Sequence, residues 1–291
     1  MFVMVTKTKG TTDKTNNRTL KTAYESSNKI RRMPIRLEGE SYVAKATLKV
    51  RLLQHTPEPE KLVAMAARLC YSPSGIDDLA EDVIHSDQQQ FIKKLMDMGH
   101  YTTIEHISFT FGVEGVSRSL LAQLTRHRIA SFSVQSQRYV GETRAQNKQG
   151  IFDYIIPETI LQLGPEAVAE FESQMTRIQA WYDGWVQKLG GGRAAYEDAR
   201  FVLPNAAETK LVVTMNAREL RHFFDLRCCN RAQWEIRNLA EQMLKLVKEA
   251  APTIFRDAGP SCLSGPCPEG KLSCGKMPEV RKKFGMIKSG E

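Results

Sequence analysis

The densest set of residues able to do chemistry is Arg126-His127-Arg128, followed by Ser131, Ser133, Ser136 and Arg138-Tyr139. It sits directly after an apolar stretch with helical spacing. Arginines crowded into so short a span repel one another unless an anion neutralises them. A guanidinium is a planar fork that makes paired, charge-assisted bonds to phosphate oxygens. The hydroxyls of Ser131 and Ser136 add neutral donors. Types and spacing point to a phosphate- or nucleotide-binding segment. A solvated basic helix end that complements the helix dipole is the plainer alternative.

Other segments carry related chemistry. Arg200 precedes an apolar stretch ending at Pro204. Arg218, Arg221, Arg227 and Arg231 lie on or just after a helix that Asn216 can cap. Residues 99–106 place His100, Thr102, Glu105 and His106 between a helix and a strand. His100 and His106 do not have the HExxH spacing and find no third ligand by spacing, so this reads as a loop ordering a cofactor rather than a zinc site. Cys228 and Cys229 adjoin Arg227, whose charge would lower a thiol pKa, which makes them candidate nucleophiles. Cys262, Cys267 and Cys274 stand among glycines and prolines. They could bind zinc or an iron–sulfur cluster if a fourth ligand came from elsewhere. A mobile, reduced tail is the simpler reading.

The elements that must position these groups can be read from periodicity. Residues 47–55 suit a strand. Pro57 and Pro59 open a helix whose apolar face is Leu62, Ala66 and Leu69. Ser86 and Gln89 suit a capping box. The helix behind them carries Phe91, Ile92, Leu95 and Met96 and stops at Gly99. Ile107, Phe109, Phe111 and Val113 alternate as a half-buried strand. Ser117 can cap a helix bearing Leu120, Leu121 and Leu124. A long amphipathic helix fits 165–189, a strand fits 210–215, and Asn216 with Glu219 caps a short helix. Trp234, Leu239, Met243 and Val247 mark a last long helix, closed by Pro252. The pattern is α+β: an antiparallel or mixed sheet with long helices, grouped rather than in strict βαβ alternation. No GxGxxG follows a strand and no GxxxxGK[ST] occurs, so neither a Rossmann dinucleotide site nor a P-loop is offered.

Composition narrows the partners. The 291 residues carry a net charge of +8, but residues 1–46 hold +6 of it and residues 271–291 hold +4. The body, 47–270, is at −2, which argues against a polyanion-binding face for nucleic acid there. No apolar run is long enough to span a membrane. The six cysteines are too sparse for a secreted disulfide framework. A cytoplasmic protein is expected, with a flexible basic tail over 1–46, a globular domain over 47–255, which the resemblance given next implies is catalytic, and a Cys/Gly/Pro-rich C-terminal extension over 256–291.

RHRIASFSVQSQRY resembles the RHR-x7-S signature of the flavin-dependent thymidylate synthases, with Arg126-His127-Arg128, seven residues, then Ser136. LMDMGHYTTIEHISFTFGV, RFVLP, TMNAREL and LRCCNRAQWEIR are similar to segments of that family, in its order and spacing, from about residue 48 to about 255. The resemblance implies a homotetramer with active sites shared between subunits. It implies that dUMP becomes dTMP, with methylenetetrahydrofolate giving the carbon and NADPH giving reducing equivalents through FAD. It places Gln123, Arg126, Ser136, Arg138, Arg200 and Arg227 on dUMP, with Arg227 and Ser136 as the catalytic pair. It places Thr102, Glu105, Arg126, His127, Arg128, Ile129, Asn216 and Arg218 on FAD, and His100 near flavin and folate. It implies no metal ligand and no cysteine nucleophile, so hydride passes directly to the uracil while Ser136 orients it. Val134, His222 and Arg231 depart from the residues some members carry.

Overall fold

A computed structural model describes residues 46–285. The tail expected over 1–46 lies, apart from Ala46, outside the described residues. The scaffold is a four-stranded, wholly antiparallel sheet of β1 (Lys49–His55), β2 (Ser108–Ser117), β3 (Ala130–Val134) and β4 (Glu208–Asn216), in the order β1-β2-β4-β3. Between β1 and β2 come α1 (Pro59–Leu69), α2 (Ile76–Ile84) and α3 (Gln89–Asp97). α4 (Arg118–Leu124) joins β2 to β3. α5 (Glu158–Gln162), α6 (Pro165–Lys188) and α7 (Gly192–Ala199) precede β4. α8 (Ala217–Arg227), α9 (Trp234–Ala250) and α10 (Met277–Lys283) complete the described chain. The α+β class read from the sequence is the observed one.

The sheet has one dry face because its two central strands alternate. Phe109, Phe111 and Val113 of β2 and Leu211, Val213 and Met215 of β4 are buried. They pack against Ile236, Leu239, Ala240, Met243 and Val247, the apolar stripe of α9. The opposite face presents Lys49, Arg51, Leu53, Lys210 and Val212 around an open cavity of about 430 Å³. Of the residues that the sequence reading singled out for chemistry, only Ser133 lines that cavity.

The β2–α4 junction is pinned by polar groups. Ser117 Oγ accepts from Leu120 N, as expected of an N-cap. Its backbone N–H and hydroxyl both donate at 2.6 Å to the buried carboxylate of Glu235 at the start of α9. Just before it, β2 bulges and Gly115 takes φ +74°. A Cβ built there would sit 2.0 Å from the carbonyl oxygen of Thr47, and the Gly115 N–H is already held by Glu208 Oε1. Gly115→Ala therefore meets both an unfavourable φ and a backbone atom that cannot move aside. We expect a loss of about 2–4 kcal/mol, read as a lowered melting temperature. A melting curve superimposable on the parent's would contradict this account of the bulge.

Several local expectations need correction. α1 buries Val63, Ala64 and Ala67 and leaves Leu69 exposed, because its neighbour α2, missed in the sequence, packs against it and turns a different face inward. Ser86 does not cap α3. Its hydroxyl donates to Asp82 O, and Asp87 Oδ1 receives the Gln89 N–H instead. The α9 cap is Gln233, whose Oε1 accepts from Glu235 N and Ile236 N. The C-terminal extension is packed, not trailing, as far as residue 285. Cys262, Leu263 and Val280 are buried together, and Arg281 donates to Cys262 O and Gly265 O.

Candidate active site

α4 ends at Leu124, and the following turn bonds His127 N to Leu124 O. That turn throws Arg126 and Arg128 outward and buries His127, which is only 5% exposed. The imidazole lies edge-on to Phe223 at 4.9 Å and against His222 at 6.1 Å. Its Nδ1 is 3.0 Å from the buried Glu219 Oε1, and its Nε2 is 3.1 Å from Arg227 Nε. Burial, then the charge of Arg227, depresses the histidine pKa against the raising bond from Glu219. A neutral ring fits both partners: Nδ1–H donates to the carboxylate, and Nε2 accepts from the guanidinium. Glu219 thereby fixes the tautomer and leaves the remaining N–H groups of Arg227 unspent.

α8 supplies the rest of this group. Asn216 Oδ1 accepts from Glu219 N, so the expected cap is present. The Glu219 side chain turns to His127 rather than back to the cap. Arg218 bonds and ion-pairs with Glu105, tying α8 to the 3-10 turn Thr103–His106. Thr102 and His100 are exposed beside it, and Thr103 Oγ1 donates to His100 O. Ile129 is 67% exposed, a large apolar group with no cover in the single chain. Gln123 is half-buried on α4. Burial and the neighbouring charge of Arg126 lower the Arg227 pKa, which records two like charges brought together. Among the described residues no carboxylate forms an ion pair with Arg126, Arg128 or Arg227.

Ser136, Arg138 and Arg200 form a second group. Ser136 Oγ accepts from Arg138 N. The Arg138 guanidinium donates to Tyr139 Oη and lies 4.8 Å from that ring, with Arg193 5.5 Å from the same ring. Arg138 also pairs with Glu197, whose backbone oxygen receives Arg200 Nε–H. β3 separates the two groups: five extended residues span about 16 Å, with Arg126-His127-Arg128 before the strand and Ser136 beyond it. No described contact joins them within one chain. The two ends of the motif are thus placed on opposite sides of a strand rather than around one point.

Geometry bears on other sequence readings. Cys228 is buried, and burial pushes its thiol far up, the reverse of an activated nucleophile. Arg231 donates to Leu272 O in the C-terminal extension and pairs with Glu269. Among the described residues no three His, Cys, Asp or Glu side chains are placed to hold a single metal ion, so His100 and His106 gain no third ligand. No helix among them is long and apolar enough to cross a membrane. Glu219, Arg193 and Glu197 carried no site signal in the sequence reading, although Glu219 bonds His127, Arg193 lies over Tyr139 and Glu197 pairs with Arg138. Glu219 had shown only as the third position of a capping box, and α7 had no signal beyond its glycines.

A family model described as thymidylate synthase complementing protein matches residues 51–253. The chain is 56% identical over 237 residues to a flavin-dependent thymidylate synthase of Geobacter sulfurreducens, covering 81% of this chain and 98% of that one. It is 49% identical over 246 residues to that of Clostridium tetani, covering 81% and 96%. Among solved structures it is similar to a UMP/dUMP methylase from Streptomyces cacaoi bound with 5-Br dUMP, with a TM-score of 0.57 and 25% identity over 72% of this chain and 94% of that one. With the matched motif set on one sheet and its two flanking helices, the chain belongs to the flavin-dependent thymidylate synthase family.

Proposed function

We propose that this protein makes dTMP from dUMP in the cytoplasm, taking the carbon from methylenetetrahydrofolate and reducing equivalents from NADPH through FAD. The observation that carries this reading is the Glu219–His127–Arg227 chain with Arg126 beside it. Guanidiniums there converge without a carboxylate partner among the described residues, as a site for an anionic substrate requires. Family membership and the 5-Br dUMP held by the methylase relative support the pyrimidine nucleotide as that substrate.

The residues present fit a flavin nucleotide. Arg126, Arg128 and Arg218 are exposed donor-only groups suited to its phosphates, and exposed Ile129 suits its flat ring. Thr102, Glu105, Arg126, His127, Arg128, Ile129, Asn216 and Arg218 would hold it, with His100 beside flavin and folate. When bound, FAD supplies the hydride that reduces the pyrimidine. Arg227 faces the negative charge that develops on the uracil ring and lowers the barrier by a fixed, pre-oriented bond. Gln123 and Arg126 orient the nucleotide. Ser136, Arg138 and Arg200 receive its phosphate, Ser136 through its hydroxyl and the arginines through charge-assisted bonds. Because the two residue groups flank β3, one copy supplies the phosphate side of a site and another the Arg227 side, in a homotetramer.

The purified chain is expected to be yellow, to release FAD on denaturation, and to release tritium from [5-³H]dUMP only when folate and NADPH are both supplied. A colourless protein that stays inactive with added FAD would refute the proposal.

A further inference from the structure

Four of the six cysteines line one cavity of about 300 Å³. Three, Cys262, Cys267 and Cys274, come from the C-terminal extension. The fourth is Cys229, in the turn between α8 and α9. The sequence spacing of the three had left a fourth ligand missing, and the fold brings it from more than thirty residues away. Cys262 is 8% exposed, and after burial the neighbouring Cys229 and Cys267 push its thiol up, with Cys274 contributing less. The other three are half-buried. Thiols set facing one cavity from two chain segments are the donor set of a soft metal centre.

Side chains around the cavity bond to the cysteine-bearing segments. Asn230 Nδ2 lies 3.9 Å from Cys274 Sγ, a donor to a ligand sulfur. Arg231 bonds Leu272 O and pairs with Glu269, and Arg281 bonds Cys262 O and Gly265 O, so both cysteine-bearing loops are clamped by arginines from outside them. A single zinc ion held at about 2.3 Å by four thiolates would draw the sulfurs to about 3.8 Å from one another. Among the described residues no three such side chains are set to close on one ion. The four residues line a cavity of about 300 Å³, larger than one ion fills, which suits a polynuclear centre. We propose that Cys229, Cys262, Cys267 and Cys274 bind an iron–sulfur cluster.

The centre would fasten the extension to the α8–α9 turn, since Cys229 lies in that turn and the other three cysteines in the extension. Its test reads metal content and is independent of dTMP synthesis. The full chain is expressed and purified without oxygen, then assayed for iron, acid-labile sulfide, zinc and flavin. Equal amounts of iron and sulfide are expected, with a paramagnetic signal after dithionite reduction distinct from a flavin radical. Cys267→Ala and Cys274→Ala should lose at least tenfold of the iron and keep their flavin, while Cys70→Ala, an exposed site elsewhere, keeps both. One zinc per chain that the Cys267 and Cys274 variants lose would overturn the cluster in favour of a mononuclear site. So would iron that survives both substitutions, or a wild-type chain that binds no iron after anaerobic treatment with ferrous iron and sulfide.

Discussion

Arg227→Ala is expected to lower turnover by about 10²–10³-fold, equivalent to about 2.7–4 kcal/mol of barrier, while leaving the fold and the flavin content intact. The size follows from where the charge sits. Arg227 closes α8, its Nε–H is spent on His127, and burial with the nearby Arg126 already disfavours its charge. A cation held under those conditions is stabilised most when a negative charge develops opposite it. Arg227→Lys should recover little, because an ammonium cannot bond His127 and still present a planar pair of donors. Stopped-flow single turnover separates this from weaker binding. A variant with unchanged turnover at saturating dUMP would remove Arg227 from the chemistry.

Glu219→Leu should cost about 10–100-fold although it touches neither substrate nor cofactor in this account. It leaves the His127 Nδ1–H buried without an acceptor, at about 1–3 kcal/mol, and frees the ring to flip and offer Arg227 the wrong nitrogen. Glu219→Gln still accepts that bond and should recover most of the rate. The pH profile distinguishes positioning from general loosening. His127 has a folded pKa depressed below 6.5, chiefly by burial. Its neutral state therefore adds stability above the unfolded value, and that stability is lost as pH falls through the folded one. Activity should fall on the same acid limb, as Nε2 becomes protonated and can no longer accept from Arg227. Removing Glu219 deletes a bond that raises this pKa, so the limb should move to lower pH. A limb that stays put while the rate drops would mean that Glu219 only supports the fold.

Much of the scaffold was legible because single elements carry their own signal. Phe109, Phe111 and Val113 alternate as a strand must, and Ser117 and Asn216 cap the helices their types suggested. β3 was missed because Ala130–Val134 alternates small polar and modest apolar groups directly after the arginines, and the segment read as chemistry rather than as a strand. That omission mattered: without the strand, Arg126 and Ser136 read as neighbours, whereas its length holds them apart. Glu219 and Cys229 were opaque for another reason. Each gains its meaning only from a partner about 30 to 90 residues away, His127 for one and the terminal cysteines for the other.

The central claim is that Arg126 and Arg227 of one group and Arg138 and Arg200 of the other serve one phosphorylated pyrimidine, assembled across copies of the chain. Calorimetric titration of the flavin-loaded protein with dUMP and with deoxyuridine, which lacks the phosphate, addresses it most directly. The account predicts saturable dUMP binding, binding of deoxyuridine weaker by at least a hundredfold, and an Arg138→Ala variant in which the two ligands become nearly equivalent. Equal affinity for both ligands in the unaltered protein would contradict it.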